Sequence, residues 1–225
     1  TQHRLREKRA IEAAGVPVAP YREISSPADM VQAVAELGVP CVLKTAVGGY
    51  DGKGQVVIRQ TERAKDAYEQ LAGGGAELVL EKFIRFRCEI SVIVARSTNG
   101  EAKAFPPAEN IHVNNILHTS IVPARVPEAV QEEARKLALA VAESLDAVGL
   151  LAVETFVTED GQLYVNELAP RPHNSGHYTM EGCATSQFEQ HIRAICGLPL
   201  GNTKLLTPVV MVNVLGEHLE DVIRR

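Results

Sequence analysis

The chain has 225 residues, and its 28 acidic side chains outnumber 23 Lys and Arg, for a formal net charge of −5. That balance argues against a protein that coats nucleic acid or lies on a membrane surface, while leaving room for a local basic site. At 45% hydrophobic and 23% charged it can bury a core, yet no apolar run nears the ~20 residues that span a bilayer.

The segment Arg4–Ala14 reads as a helix, stopped by Gly15 and Pro17. Ser26 offers an N-cap, Pro27 the first helical position and Asp29 a first-turn acid. Met30, Val31, Val34 and Leu37 then form an apolar stripe that ends at Gly38 and Pro40. A strand over Cys41–Ala46, a glycine-rich loop over Gly48–Gly54 and a second strand over Gln55–Arg59 follow. A helix through Glu62–Leu71 leads to a Gly73–Gly75 linker, then to strands Leu78–Lys82 and Glu89–Arg96. Asn99-Gly100 turns the chain back through Ala102–Phe105. His112 and His118 fall in what reads as a loop with Glu109 and Asn110, as site residues or as exposed imidazoles. From Pro127, apolar residues recur at helical steps from Val130 to Val148. Strands Leu151–Val157 and Leu163–Ala169 flank Asp160-Gly161, and a helix Phe188–Cys196 and a strand Val209–Val214 close the chain. Strands and helices mix without strict alternation, which predicts an α+β fold.

Cys41, Cys88, Cys183 and Cys196 lie far apart with no C-x-x-C pair, as expected of reduced thiols in a cytoplasmic protein. The first residue is Thr1 and no targeting pattern follows, so the expectation is a segment beginning inside a longer protein.

Chemistry concentrates in three places. If Asp160-Gly161 is a two-residue hairpin loop, Glu154 and Glu167 face each other across the sheet, with Cβ atoms ~4.5–5.5 Å apart. Their neighbours on that face, Ala152, Phe156, Val165 and Ala169, are apolar. Two carboxylates so close must bind a proton or share a cation, and with Asn166 beside them the oxygen-rich set suits Mg²⁺. A slipped register would instead turn both acids to water. The loop Gly48–Gly54 has four glycines in seven residues and Lys53, which fits a phosphate lid as well as a mobile connection. Lys44 precedes it in mid-strand between Val42 and Ala46, either holding a phosphate or guarding a sheet edge. The loop Ala169–His177 starts where the acid-bearing strand ends. Two prolines stiffen it, and Arg171, His173, Asn174 and Ser175 supply donors for phosphate or carboxylate.

Taken together, Lys44, Gly-Gly-Tyr-Asp-Gly-Lys-Gly, Glu81-Lys82-Phe83-Ile84, Glu154 with Asn166-Glu167, and Ala-Pro-Arg-Pro-His-Asn-Ser-Gly-His resemble the ATP-grasp superfamily. More narrowly they resemble its N5-carboxyaminoimidazole ribonucleotide synthetase family, the ATPase subunit type of phosphoribosylaminoimidazole carboxylase. The Arg-Pro-His-Asn-Ser-Gly-His loop is the distinguishing part, and Thr185–His191 and Val210–Gly216 follow it in order.

The resemblance implies an ATP-grasp fold of two α+β subdomains gripping ATP, without the family's N-terminal Rossmann-like domain and C-terminal lobe. Residues 1–20 would be a linker helix, 21–83 the small lid subdomain and 84–225 the large subdomain. It implies ATP- and bicarbonate-dependent carboxylation of 5-aminoimidazole ribonucleotide in purine synthesis, with ATP and Mg²⁺ bound. It also implies a cytoplasmic homodimer with no nucleic-acid or membrane partner. Carried over by position, Arg4 and Lys44 would contact phosphates. Gly49, Tyr50, Asp51, Gly52, Lys53, Gly54 and Gln55 would fold over them. Glu81, Lys82, Phe83 and Ile84 would take adenine, and Glu89 and His112 the rest of the nucleoside, with Asn166 and Glu167 also on the nucleotide. Glu154, Glu167 and Asn166 would bind the metal. Arg171, His173 and Tyr50 would be catalytic, with Asn174 and Ser175 on the substrate. His3, Ala46 and Val47 depart from the family pattern near the phosphates. The remaining readings are another ATP-grasp carboxylate–amine ligase, a non-catalytic nucleotide-binding module and a purely structural interaction domain.

Overall fold

The computed structural model describes residues 3–48, 54–73, 75–216 and 219–224. The lid residues Gly49, Tyr50, Asp51, Gly52 and Lys53 therefore lie outside the described residues. The chain divides into two compact units, Thr1–Arg85 with Tyr164–Asn166, and Phe86–Leu163 with Glu167–Arg225. No helix among the described residues is long and apolar enough to cross a membrane.

The first unit opens with α1 (Arg4–Ala13), which ends where Gly15 takes φ +73°. Helix α2 (Pro27–Leu37) starts as its sequence demands. Ser26 Oγ accepts from Asp29 N at 3.1 Å, and Gly38 at φ +74° turns the chain out. Strands β1 (Tyr21–Ile24), β2 (Cys41–Thr45), β3 (Gln55–Ile58) and β4 (Leu78–Lys82) pair antiparallel in the order β1-β4-β2-β3. On one face Ile24, Cys41, Leu43, Ile58 and Leu80 pack with Met30 and Val34 of α2, and with Ala64 and Ala67 of α3 (Ala64–Leu71). Alternation sends Val42 and Lys44 to the other face, where Leu5 of α1 meets Val79 and Ala46. Strand β2 is an inner strand, so Lys44 does not guard a sheet edge.

The second unit is built on an antiparallel sheet. Its strands are β5 (Cys88–Arg96), β6 (Ala102–Ala104), β7 (Ala108–Val113), β8 (Ile116–Val122), β9 (Gly149–Val157), β10 (Leu163–Ala169) and β11 (Val209–Val212). They run in the order β10-β9-β5-β7-β8-β11, with β6 also paired to β5. Helix α4 (Glu128–Ser144) packs on β5, β6 and β9. Helix α5 (Thr179–Gly182) and α6 (Gln187–Ile195) lie over a core of Ile93, Ala95, Ala152, Tyr178 and Ala194. The chain ends in α7 (Leu219–Ile223).

Three expectations are corrected here. Residues 108–122 form a hairpin rather than a loop, so Glu109, Asn110 and His112 are on β7 and His118 on β8. Its turn is Asn114-Asn115, with φ +52° and +63°, between paired Val113 and Ile116. Helix α4 stops at Ser144 and the chain turns at Asp146 (φ +47°), which leaves Val148 exposed beyond it. The Asp160-Gly161 loop is one residue longer than two. Thr158 N donates to Gln162 O (3.0 Å), Gly161 N donates to Thr158 O (3.0 Å), and Gly161 takes φ +82°. Thr158 Oγ1 also accepts from Gln162 N at 2.9 Å, holding the three-residue form closed. The direct opposition expected of Glu154 and Glu167 rests on a two-residue loop, and the turn is not of that form.

Two measurements test this packing. Asn115→Val puts a β-branched residue at positive φ and is expected to cost about 1–2 kcal/mol in urea unfolding, whereas Asn115→Gly keeps stability. A neutral Asn115→Val would contradict the turn. Glu109 accepts from Arg125 Nε and N, both at 3.0 Å, and from Nη2 at 2.5 Å. These bonds, outweighing partial burial, hold its carboxyl below the usual range. A carboxyl depressed by folding stabilises above its ordinary pKa and loses that contribution as pH falls. Glu109→Gln should therefore flatten the acid limb of Tm against pH; an equally steep limb would contradict the assignment.

Candidate active site

In the first unit the charge is concentrated on one buried carboxylate. Val42 pairs with Glu81, so Lys44 and Glu81 are diagonal neighbours on two inner strands. Glu81 Oε2 accepts from Lys44 Nζ at 3.0 Å, and its other oxygen lies 3.3 Å from Lys8 Nζ. The side chains of Lys8, Glu81 and Lys44 are 4%, 5% and 10% exposed. Lys8 Nζ also sits 5.6 Å from the centre of the Tyr21 ring. Burial, with Lys44 adding to it, lowers the Lys8 ammonium against the pull of Glu81. Burial pushes the Glu81 carboxyl up, but the Lys44 and Lys8 charges outweigh it and hold it low. Sequence reading missed Lys8; its signal was a lysine between Leu5 and Ile11, on the helix stripe that α1 buries.

The other first-unit residues are placed as follows. Arg4 N donates to Ala46 O at 2.8 Å, Gly54 has φ +72°, and Gln55 opens β3 opposite Lys44. Lys82 N donates to Pro20 O (2.8 Å) and Phe83 N to Pro40 O (3.3 Å), so these two amides are committed to the fold, just before Ile84. Asn166 is half-buried on β10, next to Val165, whose N donates to Pro17 O at 2.9 Å.

In the second unit one sheet face carries the polar cluster. Ser91 pairs with Glu154, Glu89 with Phe156 and with Asn110, and Asn110 with Ser120, so these residues share that face. His112 lies two places from Asn110 on β7 and so joins this face, while the register shift beside it leaves His118 of β8 as the extra residue. His112 Nδ1 lies 3.2 Å from Glu89 Oε2. The Glu89 hydrogen bond raises the imidazole pKa, against burial. Donor atoms of Glu89, His112 and Glu154 all lie within 4.8 Å of one another, a group compact enough to hold an ion. His173 Nε2 stands 3.0 Å from Glu154 Oε1. Burial would raise Glu154, but its neighbour His173, ahead of His112 and Arg171, holds it low. Phe86 stacks on Phe156 at 4.5 Å, giving the cluster an aromatic wall.

The loop after β10 is rigid because one side chain holds it on both sides. Gln187 Oε1 accepts from His173 N (3.0 Å) and Nε2 donates to His173 O (2.8 Å). Its own N donates to Thr179 Oγ1, which donates to Gly176 O. A Cβ on Gly176 would stand 2.6 Å from Gln187 Oε1, so only glycine fits. Ser175 is buried and Asn174 Oδ1 is a buried acceptor with no hydrogen-bond partner, a position suited to a ligand's donor. Arg171 is exposed, with Nη1 donating to Pro172 O at 3.1 Å. Glu167 is half-buried on β10.

Comparison with known proteins adds family and scale. The pattern of the ATP-grasp domain matches residues 9–188. N5-carboxyaminoimidazole ribonucleotide synthase of Bacillus subtilis (strain 168) is 57% identical over 220 residues, 98% of this chain and 57% of that protein. A crystal structure of an N5-carboxyaminoimidazole ribonucleotide synthetase in complex with ADP is 61% identical with TM-score 0.94, covering 100% of this chain and 59% of that one. That of the Aspergillus clavatus synthase with ADP and 5-aminoimidazole ribonucleotide is 32% identical with TM-score 0.91, covering 99% and 60%. The chain thus spans about 57% of the length of the curated relative from Bacillus subtilis. A matching domain pattern over most of its length, on two antiparallel α+β units, establishes that the chain belongs to the ATP-grasp family.

Proposed function

We propose that the protein carrying this chain is an ATP- and bicarbonate-dependent carboxylase of 5-aminoimidazole ribonucleotide, acting in purine synthesis. The γ-phosphoryl group of ATP passes to bicarbonate, giving carboxyphosphate and ADP. The amine of the ribonucleotide then takes the carboxyl carbon, from carboxyphosphate or from the CO₂ it releases, and phosphate and a proton leave. Phosphoryl transfer needs charge neutralisation and positioning more than a protein nucleophile. The observation that carries the reading is Glu154: a carboxylate on the polar face of the sheet, 3.0 Å from His173 Nε2 and grouped with Glu89 and His112 within 4.8 Å.

The role of each residue is part of the proposal. Lys44 and Arg4 take phosphate oxygens, with Gly49–Gln55 over them. Glu81 and the Lys82–Ile84 stretch take adenine, and Glu89 and His112 the rest of the nucleoside. Arg171, His173, Asn174 and Tyr50 take bicarbonate and the ribonucleotide, while Ser175, fully buried, stands behind His173 rather than on the substrate. Buried carboxylates are hard oxygen donors and fit Mg²⁺, so Glu154, with Glu167 and Asn166 of β10, is proposed as its ligand set. The imidazole of His112 suits this ion less well and serves Glu89 instead. A bound Mg²⁺ would neutralise phosphate charge. A homodimer in the cytoplasm completes the proposal.

The test is ADP release by the full-length protein with bicarbonate and alternative amines. Stimulation by 5-aminoimidazole ribonucleotide, and not by glycinamide ribonucleotide, is expected. Stimulation by another amine alone, or by none, would overturn the reading. Glu154→Gln should lower kcat about a hundred-fold or more, since it removes charge aimed at the transition state. A variant within a factor of about three would remove Glu154 from the mechanism.

A further inference from the structure

Behind His173 the hydrogen bonds of the second unit run in one direction. Ser175 N–H points at His173 Nδ1 from 3.3 Å, and a backbone amide only donates, so Nδ1 must accept. The Ser175 hydroxyl, 2.8 Å from the same nitrogen, therefore donates its proton there as well. It is able to do so because it accepts from Ser91 Oγ at 2.7 Å. Ser91 in turn accepts from Asn110 Nδ2 at 2.9 Å, and Asn110 Oδ1 accepts from Ser120 Oγ at 2.8 Å. Ser91, Ser120 and Ser175 are at most 1% exposed, so water does not break the chain. Turning the Asn110 amide over would reverse every link. It would demand a proton on Nδ1, which the Ser175 amide opposes.

A neutral imidazole that accepts at Nδ1 carries its proton on Nε2, the atom 3.0 Å from Glu154 Oε1. We propose that Ser91, Asn110 and Ser120 are positioning residues, which act through Ser175 to hold His173 as its Nε2–H tautomer, a fixed hydrogen-bond donor to Glu154. Gln187 sets where the ring stands, by holding the His173 backbone on both sides; the serine–asparagine relay sets which nitrogen bears the proton. Glu154 is thereby kept in one orientation by a neutral donor. The tautomer assignment stands on geometry alone, while its effect on turnover rests on the function proposed above.

Long-range ¹H–¹⁵N correlation of the ¹⁵N-labelled full-length protein tests it, above the ordinary imidazole pKa, with His173→Gln to identify the signal. The expected pattern is an unprotonated Nδ1 and a protonated Nε2; a protonated Nδ1 would overturn the proposal. Ser91→Ala, which cuts the relay, should give mixed tautomers. It should also lower kcat about ten-fold or more, with the KM for ATP changed less. Ser120→Ala, which does not touch His173, should shift the pattern in the same sense. An unchanged ¹⁵N pattern in both variants would overturn the relay. Should the wild type show no ribonucleotide-dependent ADP release, the function fails, yet the spectrum still decides the tautomer.

Discussion

Keeping Glu154 charged on a face it shares with Ala152 and Phe156 is the constraint around which the second unit is arranged. A carboxylate there is costly unless its oxygens are matched by donors and cations. The fold supplies them from elements distant in sequence: His173 from the loop after β10, His112 from β7, and Arg171 through its charge. Each has its own support. The Gln187 clamp fixes the loop, Gly176 lets the clamp approach, and the buried serines and Asn110 orient the ring. This arrangement satisfies a charge that an isolated sheet face could not hold.

The first unit solves a related problem with the opposite sign. Two ammonium groups are buried there, and a single carboxylate, Glu81, is divided between them. Lys44 is carried on β2 and Lys8 on α1, and apolar contacts of Leu5 with Ala46 and Val79 join α1 to the sheet. A site that meets phosphate needs such a fixed cation more than it needs a mobile one, because ordering entropy is already spent on folding.

How much of this was legible in the chain depended on the range of the signal. Ser26, Pro27 and Gly38 mark the ends of α2 by local chemistry, and they were read correctly. The ATP-grasp fold was legible because its motifs recur as short runs of residues in order. The β7–β8 hairpin was not, although Asn114-Asn115 between apolar neighbours is a turn signal that tolerates positive φ. The Asp160-Gly161 loop was misjudged by one residue. A glycine at positive φ suits either loop length, and the choice was made by a Thr158 side chain bonding across the turn. The relay behind His173 was invisible for a different reason. Sheet register brings together Ser91, Asn110 and Ser120 from three strands, and Ser175 reaches them from the loop that Gln187 holds.

The central claim is that Glu154 faces the metal and nucleotide chemistry of an ATP-grasp ligase. Anomalous diffraction from crystals of the full-length protein with Mn²⁺ and ADP tests it directly. The account predicts a manganese peak within coordinating distance, about 2 Å, of a Glu154 oxygen. A peak bound to the nucleotide but remote from Glu154 would contradict it.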